Sequence, residues 1–145
     1  MPKVTYDSDV FMRRKPTELP QGFYMSAVVL EELAAGAKDG SVLKELRAAL
    51  KNYDEAGHLL VPTGEDWYEA GKVIYALQQG NKSKKTGDKP PLPPETRCRL
   101  INDVLIARSA KRAGVTVVTY NMRHFEQIRR YCRVKLINAA DHFRR

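Results

Sequence analysis

The sequence predicts a three-layer α/β/α sandwich around a mostly parallel central sheet. Three observations carry this expectation. Short β-branched runs, Val4-Thr5-Tyr6 and Val115-Thr116-Val117-Val118-Thr119, alternate with longer segments whose apolar residues recur at helical spacing. The first run ends in Asp7 and Asp9 and the second in Thr119 and Asn121, polar groups suited to the crevice at the carboxyl ends of parallel strands. The length, 145 residues, suits a single domain over 1–145 that buries enough surface to fold without disulfide or structural zinc.

Each element follows from local chemistry. Val4-Thr5-Tyr6 is the first strand. Ser26 is a plausible N-cap for a helix reaching Gly36-Ala37, and Ser41 for one in which Val42, Leu43, Leu46, Ala49 and Leu50 recur. His58-Leu59-Leu60-Val61, stopped by Pro62, reads as a strand. Thr63-Gly64-Glu65-Asp66 resembles a capping box, opening a helix with Trp67, Ala70, Gly71, Ile74 and Leu77 on one stripe. Gly71 within that stripe would permit close helix packing. Gln79 to Pro94, rich in Lys, Pro and Gly, reads as a mobile basic loop rather than a second domain. A helix from Glu95 to Ala113 ends at Gly114. Then come the Val115–Thr119 strand, a helix from Phe125 to Cys132, and a last strand at Val134-Lys135-Leu136-Ile137.

Composition narrows the classes. The opening residues carry no apolar signal segment, and no run is long enough to span a membrane, so a soluble, cytoplasmic protein is expected. Cys98 and Cys132 make neither a disulfide framework nor a thiolate zinc site, and His58, His124 and His142 have no ligand spacing. The net charge is +8, and it is concentrated. Residues 81–99 hold six basic and two acidic groups, residues 123–145 hold seven and two, and the remainder, 12 and 13, is balanced. Such basic flanks favour polyanionic partners.

The candidate chemistry lies in carboxylates at awkward positions. Asp7-Ser8-Asp9 reads either as turn-and-cap chemistry or as part of a site. Glu32 shares its helix direction with Val28, Val29, Ala35 and Gly36, whereas Glu31 points towards Lys38 and solvent. Asp103 has Leu100, Ile106, Ala107 and Ala110 around it, with Asn102, Arg108 and Arg112 pointing elsewhere, so no base at helical spacing is expected to neutralise it. An unpaired buried carboxylate is costly and is usually paired or bound to metal. Clustered carboxylates with an amide and hydroxyls nearby suit Mg²⁺ or Mn²⁺ rather than zinc.

These residues resemble a known family. Tyr6-Asp7-Ser8-Asp9-Val10 resembles the opening motif of PIN-domain ribonucleases, and Ser26-Ala27-Val28-Val29-Leu30-Glu31-Glu32-Leu33 is similar to their first glutamate helix. Asn102 to Ala107 resembles their second acidic helix, and Val118 to Phe125 their fourth motif. Order and spacing agree along nearly the whole chain, and the Ser-x(5)-Glu-Leu segment is most like VapC-type toxins of toxin–antitoxin pairs.

The resemblance implies that Asp7, Glu32 and Asp103 hold Mg²⁺ or Mn²⁺, with Asp9 and Asn121 as supplementary ligands. Asn121 stands where the family uses an acid or an amide, which bears on a second metal. Ser8 and Thr119 match hydroxyl positions that steady water or phosphate; His124 beside them is expected to pack or face solvent. The implied activity is metal-dependent hydrolysis of RNA phosphodiesters, with catalytic Asp7, Glu32, Asp103 and Asn121, a cognate antitoxin and a homodimer. RNA-holding candidates are Lys82, Lys84, Lys85 and Lys89 on the loop, and Arg123, Arg129, Arg130 and Arg133 near the last helix. The alternative is a PIN-like module that binds RNA without cleaving it.

Overall fold

The computed structural model describes residues 3–80 and 91–144. Five parallel strands, β1 (Val4–Tyr6), β2 (Met25–Ser26), β3 (Leu59–Leu60), β4 (Thr116–Thr119) and β5 (Leu136–Asn138), stand in the order β3-β2-β1-β4-β5. Ladders join β1 to β4, β4 to β5 and β2 to β3. A single parallel bridge, Thr5 to Tyr24, with the Tyr24 N–H donating to the Val4 carbonyl at 2.8 Å, joins the two sets. The order reverses at β1, which places the switch-point crevice beyond the carboxyl ends of β1 and β4.

Both faces of this sheet are covered. Val117 enters the larger core with α2 (Ala27–Ala35), α4 (Gly64–Gly80), α5 (Pro94–Arg112) and α6 (Met122–Ile128). The next residue, Val118, turns into a smaller cluster with Val10 of α1 (Ser8–Arg13) and Ala139 of α7 (Ala139–His142). Alternation along β4 therefore builds the expected three layers. α3 (Gly40–Glu55) lies outermost: none of its residues is fully buried, and Leu46, Leu50 and Tyr53 pack at the rim of the larger core.

Two glycines set helix exits. Gly57 after α3 and Gly114 after α5 adopt φ of 73° and 70°, the left-handed conformation that side chains resist. In each, the following N–H reaches back five residues: His58 to the Tyr53 carbonyl at 2.9 Å and Val115 to the Ala110 carbonyl at 2.9 Å. This is the Schellman closure, and it turns each helix directly towards a strand. Pro94 opens α5, where its missing N–H costs nothing.

Several expectations need correction. Strand β2 was not anticipated, because its two residues run into the helix that Ser26 caps. The short helix α1 likewise opens where only a turn or cap was foreseen. Asp39, not Ser41, caps α3, accepting from the N–H groups of Ser41 and Val42. The segment from Phe125 is helical only to Ile128, α6 having begun at Met122, and β5 starts at Leu136 rather than Val134. Trp67 is 55% exposed, outside the buried face made by Ala70, Val73 and Ile74. No atom lies within 4 Å of a Cβ placed on Gly71, so that glycine serves no close packing. Gln79 and Gly80 belong to α4 and Pro94 to α5, which shortens the expected loop; residues 81–90, with Lys82, Lys84, Lys85 and Lys89, lie outside the described residues.

Candidate functional site

Asp7 follows β1 and caps α1, its Oδ1 accepting from the Ser8 N–H at 2.9 Å. The capping alternative therefore holds for Asp7, and it leaves the second carboxylate oxygen free to face the crevice. That oxygen accepts from the Thr119 hydroxyl at 2.9 Å, which ties the carboxyl ends of β1 and β4 together. Thr119 also lies 3.4 Å from Asp9 Oδ2, which accepts from the Tyr120 N–H at 3.2 Å. The Asn121 N–H donates to the Thr119 hydroxyl at 2.9 Å, while the Asn121 side chain, at the start of α6, makes no capping bond. One buried hydroxyl therefore organises three polar residues around the crevice.

Glu32 and Asp103 reach the same region from α2 and α5. As the spacing predicts, Glu31 is exposed and Glu32 half-buried. Asp103 is only 6% exposed. Asn102 and Ser8 lie close enough to Glu32 to oppose the rise of its pKa, which places Asn102 beside this carboxyl, contrary to expectation. The second correction concerns Asp103. Arg99, one helical turn before it, places Nη1 3.7 Å from Asp103 Oδ2, and donates to Gln127 Oε1 at 3.2 Å. A base at helical spacing does partly neutralise this acid.

The electrostatics bind the acids into one cluster. Burial, then the charge of Asp9, pushes Asp7 up to about 6, against the hydrogen bonds from Thr119 and Ser8. Burial and Asp7 push Glu32 to about 7 despite Asn102. Burial and Asp7 raise Asp103 to about 8, although Arg99 opposes them. Burial also raises Asp9, with Arg13 among the groups that oppose it. Asp7, Glu32 and Asp103 resist ionisation because water is scarce and their neighbours carry the same charge, Asp9 because of burial alone. The half-buried His124, near Arg99 and Asp9, is held below its usual value chiefly by burial.

Three oxygens in this cluster, Asp9 Oδ1, Glu32 Oε1 and Asp103 Oδ2, are buried without a hydrogen-bond partner. Buried polar atoms are seldom left so, and three from separate carboxyls in one region suit a cation, a place that Arg99 Nη1, 3.7 Å from Asp103 Oδ2, fills in part. As placed, no three acidic, histidine or cysteine side chains among the described residues close into a finished metal cage. The donor set is nevertheless all oxygen, which fits Mg²⁺ or Mn²⁺ and not zinc.

Cations stand around the acids. Arg13, one turn after Asp9, stacks over the Tyr120 ring at 4.5 Å, and Arg14 donates from Nε to the Tyr120 hydroxyl at 2.7 Å. The sequence signal for Arg13 and Arg99 was available: each lies four residues from an acid on one helix. Arg123, Arg129 and Arg130 are exposed on or after α6; Arg129 pairs with Glu126 at 3.1 Å, and Arg130 lies over the Tyr131 ring. None of these three makes a hydrogen bond or ion pair to the acidic cluster among the described residues.

A second carboxylate had been read only as a cap. Asp66 does cap α4, accepting from the Thr63 N–H at 2.8 Å while Thr63 accepts from the Asp66 N–H at 3.2 Å. It is also fully buried and paired with Arg108 at 2.9 Å and with Arg112. Those two arginines had been noted only as pointing away from Asp103, and this is where they go. The pairing accounts for a buried acid without invoking chemistry.

The family model described as PIN domain matches residues 4–131. Solved structures share the fold. A chain of the DNA-bound VapBC of Salmonella typhimurium aligns with TM-score 0.56 at 20% identity, over 96% of this chain and 99% of that one. VapBC-1 of nontypeable Haemophilus influenzae gives 0.55 at 17%, over 94% and 98%. FitAcB of Neisseria gonorrhoeae gives 0.56 at 19%, over 94% and 98%. No curated protein sequence matches. The family match spans all four acidic residues and both strands whose ends hold them, and the chain belongs to the PIN domain family.

Proposed function

We propose that this chain is a single-domain, metal-dependent endoribonuclease of the VapC type, acting in the cytoplasm as the toxin of a toxin–antitoxin pair. The observation that carries the reading is the set of three buried carboxylate oxygens without a hydrogen-bond partner beside the β1–β4 switch point, only one of which, on Asp103, has an ion-pair neighbour among the described residues, Arg99. Asp7, Glu32 and Asp103 would hold Mg²⁺ or Mn²⁺, with Asp9 and Asn121 as further oxygen donors. When bound, the cation supplies Lewis-acid polarisation of the phosphoryl group and a more acidic water.

The chain's own groups do the rest. Thr119 keeps the Asp7 and Asp9 carboxyls on one side of the crevice through its hydroxyl. Ser8 and Asn102 lie beside Glu32 and favour its charged form. Arg99 and Arg13 supply positive charge at the edge of the cluster, suited to the non-bridging oxygens of a phosphodiester. Arg123, Arg129 and Arg130, together with Lys82, Lys84 and Lys85, would hold the RNA backbone without reading its sequence. The neighbouring folds come from VapBC and FitAcB assemblies, which supports a protein partner, a cognate antitoxin; a homodimer is part of the same reading. No helix among the described residues is long and apolar enough to cross a membrane.

A second reading, a module that binds RNA without cleaving it, draws on Arg99, which already lends Asp103 positive charge, and on the neutral Asn121. Incubation of labelled RNA with the protein and Mg²⁺ or Mn²⁺ separates the two. Metal-dependent cleavage supports the nuclease; RNA binding with no cleavage under any divalent cation selects the module.

A further inference from the structure

A cleft of about 710 Å³ opens between the C-terminal end of α5, the turn after α6 and the edge strand β5. It shares no residue with the acidic cluster. Four cations line it, Lys111, Arg129, Arg133 and Lys135, all exposed, and no acidic side chain does. Arg129 alone among them has an ion-pair partner among the described residues, the exposed Glu126 outside the cleft. The floor is apolar, with Val134 and Leu136 half-buried beneath the charges.

The placement is informative because the charges come from two parts of the chain, the end of α5 and the segment between α6 and β5. A solvated helix face presents like charges along one ridge. Here Lys111 from α5 and Arg129, Arg133 and Lys135 from the segment between α6 and β5 line the same cleft. Four exposed like charges around one depression set up a local positive potential that draws anions. A chain of phosphates over an apolar floor satisfies both features: the backbone takes the cations, and sugar or base faces take the floor. Three of the seven basic residues in the 123–145 segment line this cleft, so much of that segment's charge is gathered in one place.

We propose that this cleft is a second nucleic-acid contact, which holds the phosphate backbone of the RNA at a distance from the acidic centre. The choice of RNA as the polymer rests on the nuclease reading above. The cleft would act as an anchor, adding affinity without sequence preference and leaving bond breaking to the acids.

The test is binding of a short fluorescein-labelled single-stranded RNA of mixed sequence to the full chain, read by anisotropy in EDTA across a salt series. The charge-reversed set Lys111→Glu, Arg133→Glu and Lys135→Glu is compared with Lys44→Glu, Arg47→Glu and Lys51→Glu on the exposed side of α3, which changes net charge equally. The cleft variant is expected to bind at least about tenfold more weakly than the α3 variant. Its salt slope is expected to fall by about 2, as for three lost phosphate contacts. If charge reversal disturbs folding, the alanine set at the same three positions carries the comparison. Equal binding by the two variants would overturn the proposal. So would displacement of the RNA from wild type by polyglutamate at matched charge, which would reassign the cleft to an acidic peptide. Because EDTA removes any metal-dependent cleavage, loss of binding in the cleft variant supports the anchor even if the wild-type protein never cuts RNA, a result that would count against the acidic centre alone.

Discussion

Asp103 carries a stability cost at the position where the proposed function needs a carboxylate. Its carboxyl is raised to about 8 by burial and by Asp7, and Glu32 and Asp7 are raised to about 7 and 6. All three lie above the values these acids have in the unfolded chain, so the folded state binds more protons between about pH 4 and 8. Metal-free stability must therefore fall as pH rises through that window and level off above it. Urea unfolding in EDTA at pH 5, 7 and 9 checks the sign. Asp103→Asn should flatten the curve and stabilise the metal-free protein by about 1–3 kcal/mol at the alkaline end, since an amide costs less to bury than a charge. Arg99 works in the opposite direction on the same acid. Arg99→Gln should raise the pKa of Asp103 further, which carboxyl chemical shifts followed across pH would detect; an unchanged titration would mean that the 3.7 Å pair contributes nothing in solution. The position of Asp103 among small apolar neighbours was legible in the sequence, as was the half-buried setting of Glu32. Arg99 and Asn102 were not foreseen. Asn102 faces a different helix, which periodicity within α5 cannot reveal, whereas Arg99 was open to the ordinary i,i+4 count.

The elements differ in how far local chemistry decides them. α4 rests on Asp66, whose carboxyl caps the helix and pairs with Arg108 and Arg112 of α5. Burial would raise this acid, yet the two arginines and the Thr63 N–H hold it below its usual value. Asp66→Ala removes cap and pairing together and should cost about 2–3 kcal/mol, measured as a lowered urea midpoint with an unchanged slope. At the end of α5, Gly114→Ala forces a side chain into φ of 70° and should cost about 1–2 kcal/mol, although no atom stands within 4 Å of the added Cβ. A neutral result there would mean that the exit from α5 relaxes. The caps at Ser26 and Thr63 and the stop at Gly114 could be read directly, because each is a short-range hydrogen-bond or φ requirement. β2 could not, because its strand character comes from pairing with β3 and from the Tyr24 bridge to β1, both contacts distant in sequence. The stripe on α4 erred at its edge: Trp67 is apolar at helical spacing, but the buried arc is narrower than the pattern suggested.

Over the whole molecule, charge and topology separate two tasks. The strand order β3-β2-β1-β4-β5 brings the ends of β1 and β4 side by side, so that Asp7, Asp9 and Thr119 meet although Thr119 is 112 residues from Asp7. α2 and α5 then deliver Glu32 and Asp103 to the same crevice. The basic residues that give the chain its +8 lie mainly in two segments of the sequence, 81–99 and 123–145, and part of the second lines the cleft beside β5. On the proposed function, basic flanks would hold the polymer while a metal balances the charge at the acids. The central claim is that the Asp7–Glu32–Asp103 cluster hydrolyses RNA with a bound divalent cation. The most direct measurement is the single-turnover rate of labelled-RNA cleavage by wild type, Asp7→Asn and Asp103→Asn, each with Mn²⁺ and with EDTA. The account predicts cleavage by wild type with Mn²⁺, none with EDTA, and a loss of about a hundredfold or more in each variant. Cleavage that survives EDTA, or variants that cut as fast as wild type, would contradict it.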